Sequence, residues 1–250
     1  MNNELYHHGV KGMKWGVRKR EPSKGIRKTG RKASSNIYYR IGKEKKDVNS
    51  SGALYVSSTK DDAARYTKNL GPNFLAKLFG NAQTHVQTLS SSKKLKTASN
   101  DETVKGLLES FKKNKEGLDL FNKSFEDLAI IPEGKKITTY HINKALKDTK
   151  SKDAQKLAYG FSAILGNPAF SKHASKVYDD FRSKGYDAIP DLFDRDNGIS
   201  ETATIVINPS KVNVKSSIKI DKQTYKKAKK HVKKLGKIPL SEVINHELKL

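Results

Sequence analysis

A chain of 250 residues with 50 Lys and Arg against 26 Asp and Glu carries a formal net charge of +24, and 35% of it is hydrophobic. Such a chain can build one core of ordinary size rather than two large ones, and no apolar run approaches the roughly 20 residues of a membrane span. The absence of cysteine excludes disulfides and thiolate-held zinc or iron–sulfur sites, and with them a secreted, disulfide-stapled module.

The charge is unevenly placed. Residues 1–35 hold ten basic and two acidic side chains, residues 209–250 twelve and three, and the long middle only 28 and 21. An ordinary folded body between two basic extensions is expected. Polycationic ends attract polyanions because each neutralised phosphate releases condensed counterions, and that attraction carries no sequence information. Non-specific contact with nucleic acid is one expected role of the ends; solubility or a lysine-rich host composition is the other.

The arm, residues 1–35, mixes Gly, Ser, Lys and Arg without a sustained period and reads as flexible. Its segment 6–16, YHHGVKGMKWG, sets aromatic, Met and Gly residues among positive charges and includes the only Trp of the chain. Large apolar side chains in a stretch too short for a core of its own meet a partner's pocket or fold back on the body. Tyr6, His7, His8 and Trp15 are thus candidate docking residues. Adjacent His7 and His8 lack a third ligand at metal-binding spacing, so no metal site is assigned.

The body opens with a β-rich run, Asn36 to Gly42, and a second strand at Ala53 to Ser57. Ser58-Thr59 ahead of Asp61-Asp62, closed by Gly71-Pro72, predicts a helix over about 60–70. A third strand is expected at His85 to Leu89. Val104, Leu107, Leu108 and Phe111 stand at helical spacing behind a Ser99-Asn100 cap, and a helix or loop runs on through Phe121 and Phe125. Two more helices are expected at Asp153 to Leu165 and Ala169 to Lys184, the second stopping at Gly185. Strand-like runs return at Tyr186 to Ile189, Ala203 to Ile207 and Val212 to Ile220. Strands at both ends with helices between them predict an α+β domain over 36–220, with a split mixed or antiparallel sheet. Residues 221–250 read as a basic helical extension whose thin apolar stripe (Tyr225, Ala228, Val232, Leu235) leaves little to insert into a membrane.

Three polar features fall on or beside these strands. Arg40 lies inside the first, Ser57-Ser58-Thr59 ends the second and starts a helix, and Glu201 stands before the run Ala203 to Ile207. Taken singly, each has an ordinary structural explanation: a solvated strand residue, a helix cap and an exposed turn acid. No phosphate-binding Gly-rich loop, His-Glu-x-x-His or nucleophile elbow is present, and His141 and His246 lack partners at ligand spacing.

Two resemblances carry the reading further. The segment 6–16 resembles a Tyr-His-His-Gly-x-Lys-Gly-x-Lys-Trp-Gly stretch near the start of many tailed-phage structural and minor head proteins. That likeness implies phage origin and a tag that docks on head or portal proteins. The order of Arg40, Ser57-Ser58-Thr59 and Glu201 resembles the mono-ADP-ribosyltransferases of the Arg–Ser–Glu type, which have a split α+β fold. Tyr39-Arg40-x-Gly42 is similar to that family's first strand, and Ser57-Ser58-Thr59 with Ala63-Ala64-x-Tyr66 to its Ser-Thr-Ser segment.

The second resemblance implies NAD+ as substrate. Arg40 would hold phosphate oxygens through a planar fork, Ser57, Ser58 and Thr59 would orient Arg40 and the ribose, and Glu201 would face the ribosyl centre. Tyr55 or Tyr66 would stack on the nicotinamide. The family's second acceptor-positioning acid or amide, two residues before the catalytic Glu, is replaced by Ile199. Asp191, Asp194 and Asp196 are alternative sources of the carboxylate. The expected protein is virion-associated, in the particle or the host cytoplasm, and transfers ADP-ribose to a host macromolecule. The alternative is a non-enzymatic head or packaging protein whose basic tails contact DNA.

Overall fold

The first strand forms as β1 (Ile37–Gly42), pairing antiparallel with β3 (His85–Ser91), which pairs in turn with β6 (Val212–Lys219). A second sheet has the order β2 (Leu54–Val56), β5 (Thr204–Val206), β4 (Ala188–Pro190), again with antiparallel pairs throughout. The computed structural model describes residues 36–42, 46, 48–59, 62–63, 85–126, 136–196 and 200–219. The arm 1–35, most of the helix expected at 60–70, and the extension 221–250 lie outside the described residues.

Strand alternation sorts the side chains into layers. Leu54 and Val56 of β2 and Val206 of β5 pack against Tyr38 and Leu89 of the first sheet. Tyr55, Ile205 and Ile189, one residue out of step, point the other way into the core shared with the helices. The order of layers is therefore sheet, sheet, helices. The class is α+β, with the two sheets antiparallel and the main helices falling in the chain between β3 and β4.

The helical layer comprises α1 (Asn100–Lys113), α2 (Lys115–Glu126), α3 (Thr139–Lys147), α4 (Lys152–Ile164) and α5 (Ser171–Ser183), with a short α6 (Leu192–Asp196) after β4. The apolar row expected on α1 is fully buried: Val104, Leu107, Leu108 and Phe111 each have 0% exposure. Phe111 stacks on Phe161 of α4 at 3.8 Å between ring centroids. Gly106 is required by this packing, because a Cβ there would stand 2.3 Å from the Phe181 ring. Gly185 ends α5 with φ at 80°, a left-handed conformation that admits Gly most readily.

Helix α3 is not anticipated by the sequence. Its start is closed by His141, whose Nδ1 accepts the Thr138 N–H at 3.1 Å, which gives that histidine a structural task.

The Ser99 cap of α1 is reciprocal. Ser99 Oγ accepts the Glu102 N–H at 3.2 Å, and Glu102 accepts the Ser99 N–H at 2.7 Å. The Glu102 carboxylate also accepts the Tyr186 hydroxyl at 2.7 Å. These bonds, led by the one from the Ser99 backbone, lower its pKa from 4.5 to about 2. A carboxylate lowered on folding adds stability above its unfolded value and loses that contribution as pH falls through the folded one. Glu102→Gln is thus expected to be less stable than the wild type at neutral pH. The gap should narrow as pH drops below 4.5 and close near 2, as read from urea midpoints along a pH series.

Candidate active site

The two sheets meet where β1 leaves β3 for β2. Tyr39 and Ser57 exchange both backbone hydrogen bonds, each at 2.8 Å, so the Arg40 backbone lies one ladder step from the end of β2. Arg40 shares a sheet face with Tyr38 and Gly42, opposite Leu89, Gln87 and His85 of β3. That face is apolar at the Tyr38–Leu89 end, where it packs on the second sheet, and polar at the Gly42–His85 end. Arg40 is only 8% exposed. Its guanidinium lies across Gly42: a Cβ there would fall 2.8 Å from Nη2 and 2.9 Å from Cζ and Nε. The missing side chain lets the guanidinium lie flat on the strand.

The end of β2 is clasped to the turn that leads into β5. Ser57 is fully buried and its Oγ stands 3.2 Å from Ser200 Oγ. The Ser58 N–H donates to Thr202 Oγ1 at 3.1 Å. Asp62, 4% exposed, accepts both the Thr202 N–H at 2.9 Å and its hydroxyl at 2.6 Å. Thr59 Oγ1 in turn accepts the Asp62 N–H at 3.2 Å, as a helix cap does. Ser57, Ser58 and Asp62 therefore hold Ser200 and Thr202 at three points, and the exposed Glu201 is the residue between the anchors.

The sequence-assigned residues divide as follows. Ser58, Thr59 and Glu201 are gathered at the end of β2, and the antiparallel Tyr39–Ser57 bridge sets the Arg40 backbone beside that strand. Ser57 is there too, but its bridge partner Tyr39 shares its face and Arg40 points to the other, so Ser57 acts on the Glu201 turn and not on Arg40. Tyr55 is a correction: strand alternation sends it into the helix-side core, where its hydroxyl meets that of Tyr178 at 3.2 Å, and no nicotinamide can stack on it there. Burial raises the pKa of both phenols well above the ordinary range. Glu201 stands in a turn three residues ahead of β5 rather than at the strand itself. Tyr6, His7, His8, Trp15, Tyr66 and Ile199 lie outside the described residues.

Two of the alternative carboxylates are built into the core. Asp191 is fully buried and accepts from the Phe193 N–H at 3.1 Å, the Asp194 N–H at 3.2 Å and the Ser162 hydroxyl at 3.2 Å. Burial, aided by the nearby Asp194, raises its pKa far above that of a free carboxylate. Asp194 is also buried, with its carbonyl accepting the Ser200 N–H at 3.2 Å. Asp196 is exposed at the end of α6. Among the described residues no group of three or more His, Asp or Glu is placed to hold a metal ion.

In the sequence Asp62 reads as a first-turn helix acid, and no motif marks Thr202. Their pairing appears only when the second and fifth strands are laid side by side. Hydrogen bonds to a charged group are worth about 1.5–3 kcal/mol each, so Asp62→Ala is expected to speed amide exchange at Thr202 by about tenfold or more. Hydrogen-exchange mass spectrometry of the full chain reads this directly. An unchanged rate at 200–204 would mean that the clasp does not hold the turn.

Comparison with known proteins is informative at one end only. Residues 1–22 match a family of unknown function, DUF7211, and this stretch contains the aromatic and basic segment 6–16. No curated protein and no solved structure matches the chain. Among the described residues no helix is long and apolar enough to cross a membrane.

Proposed function

We propose that the body is an ADP-ribosyltransferase-like domain that takes NAD+ as substrate, carried by a phage virion-associated protein whose arm docks on head or portal proteins. The observation that supports this most is the clasp: it delivers Glu201 to the end of β2, one ladder step from the strand that carries Arg40. In this reading the guanidinium holds diphosphate oxygens through its fork. The bond between the ribosyl C1 and the nicotinamide nitrogen breaks, and the electron pair leaves with nicotinamide. Glu201 hydrogen-bonds a ribose hydroxyl and offsets the positive charge that develops on the sugar. A nucleophile of a host macromolecule then bonds to C1 and loses its proton to solvent or to a base.

The test is release of nicotinamide from NAD+ by the purified full chain, with label transfer from radiolabelled NAD+ into host lysate. Activity in the wild type that is lost in Arg40→Ala is expected. A wild type that neither binds nor cleaves NAD+, and labels nothing, overturns the reading.

A second reading is favoured by one observation, the excess of eight positive charges in residues 1–35 and nine in 209–250. The chain would then be a head or packaging protein that neutralises DNA. Salt-dependent, sequence-independent DNA binding that survives Arg40→Ala and Glu201→Ala, in a protein inert toward NAD+, is its signature.

A further inference from the structure

The buried face of β3 changes character along its length. Leu89 packs among Tyr38, Leu54 and Val56, whereas Gln87 and His85 continue the same face away from that apolar cluster. His85 is 9% exposed, and its Nδ1 is buried without a hydrogen-bond partner. A buried polar nitrogen left unpaired is costly, and native folds rarely keep one that has no use.

Its neighbours define what would pair with it. Directly across the ladder stands Gly42, the position over which the Arg40 guanidinium lies. On the other side the register partner of His85 is Lys219 of β6, which is exposed. Guanidinium, imidazole and ammonium thus form one row across the polar end of the sheet. Opposed residues in an antiparallel ladder are about 4.5–5.5 Å apart, a spacing that lets two of them reach different oxygens of one diphosphate.

We propose that His85 is a ligand-binding residue, donating from its ring nitrogen to the diphosphate of a nucleotide whose other phosphate oxygens are held by Arg40. This rests on the NAD+ reading of the same site. It adds a contact from β3, an element to which the sequence assigns no function. Gly42 is part of the arrangement, because a side chain there would lift the guanidinium off the strand and away from the imidazole.

The experiment is calorimetric titration of the full chain with NAD+, ADP-ribose and nicotinamide riboside, the last of which lacks phosphate. His85→Ala is expected to weaken NAD+ and ADP-ribose by about tenfold and to leave nicotinamide riboside unchanged, while His85→Gln, which keeps a donor, stays within about threefold of the wild type. Should His85→Ala fail to fold, the imidazole resonances of His85 in the wild type decide: they shift on addition of ADP-ribose. Wild-type affinity for ADP-ribose in His85→Ala, or resonances that do not move at saturation, overturns the assignment and leaves the NAD+ reading standing. A wild type that binds neither NAD+ nor ADP-ribose overturns both.

Discussion

Replacing Glu201 with Gln is expected to lower nicotinamide release by about 100-fold or more while NAD+ affinity stays within about threefold. The side chain keeps its size and its ability to hydrogen-bond a ribose hydroxyl, but loses the charge that opposes the developing positive sugar. The size of the effect follows from how firmly the turn is held. Ser200 is tied to Ser57 on one side of Glu201, and Thr202 to Ser58 and Asp62 on the other. A carboxylate carried on a turn held in this way needs little backbone reorganisation when charge appears, a condition that favours electrostatic stabilisation. Neither Asp191 nor Asp194 can take over, because both are buried, and the Asp191 carboxylate is engaged in closing the start of α6. Turnover in Glu201→Gln equal to that of the wild type would remove Glu201 from the mechanism.

The largest effect on stability is expected at Phe161. Its ring lies flat on Phe111 at 3.8 Å with 5° between planes, and meets Phe121 edge-on at 4.8 Å. Phe170 stacks on the far side of the same group, 5.6 Å from Phe111. All of these rings are buried, so Phe161→Ala opens a cavity that its neighbours can close only in part, at a cost of about 3–5 kcal/mol. The same core includes Tyr55 and Ile205, the helix-facing residues of β2 and β5, and so supports the sheet whose end carries the clasp. Urea unfolding of the full chain gives the comparison. A loss below about 1 kcal/mol would mean that the aromatic stack is not the centre of the helical layer.

Much of this fold is legible in the amino-acid order, for reasons that are local. The period-two runs at Ile37–Gly42, His85–Ser91 and Val212–Lys219 become strands, and the Ser99 cap with its apolar row becomes α1. Helix α3 escapes notice because only Ile142 and Ala145 are buried on it, too few for a visible stripe, and because its cap uses a histidine. Site residues are harder, since alternation tells which side chains share a face but not which layer that face meets. Tyr55 beside Ser57 therefore reads as a stacking residue, although the helices cover it. Asp62 and Thr202 are 140 residues apart, and His85 is 43 from Gly42; such pairings arise from sheet register, which no short motif records.

In the proposed function, Arg40 on one sheet and the Glu201 turn on the other hold a single dinucleotide. Hydrogen exchange of the full chain with and without saturating NAD+ tests it most directly. Added protection is expected in three stretches together: 38–42, 85–89 and 200–204. Unchanged exchange in these stretches, or protection confined to the basic ends, would contradict it.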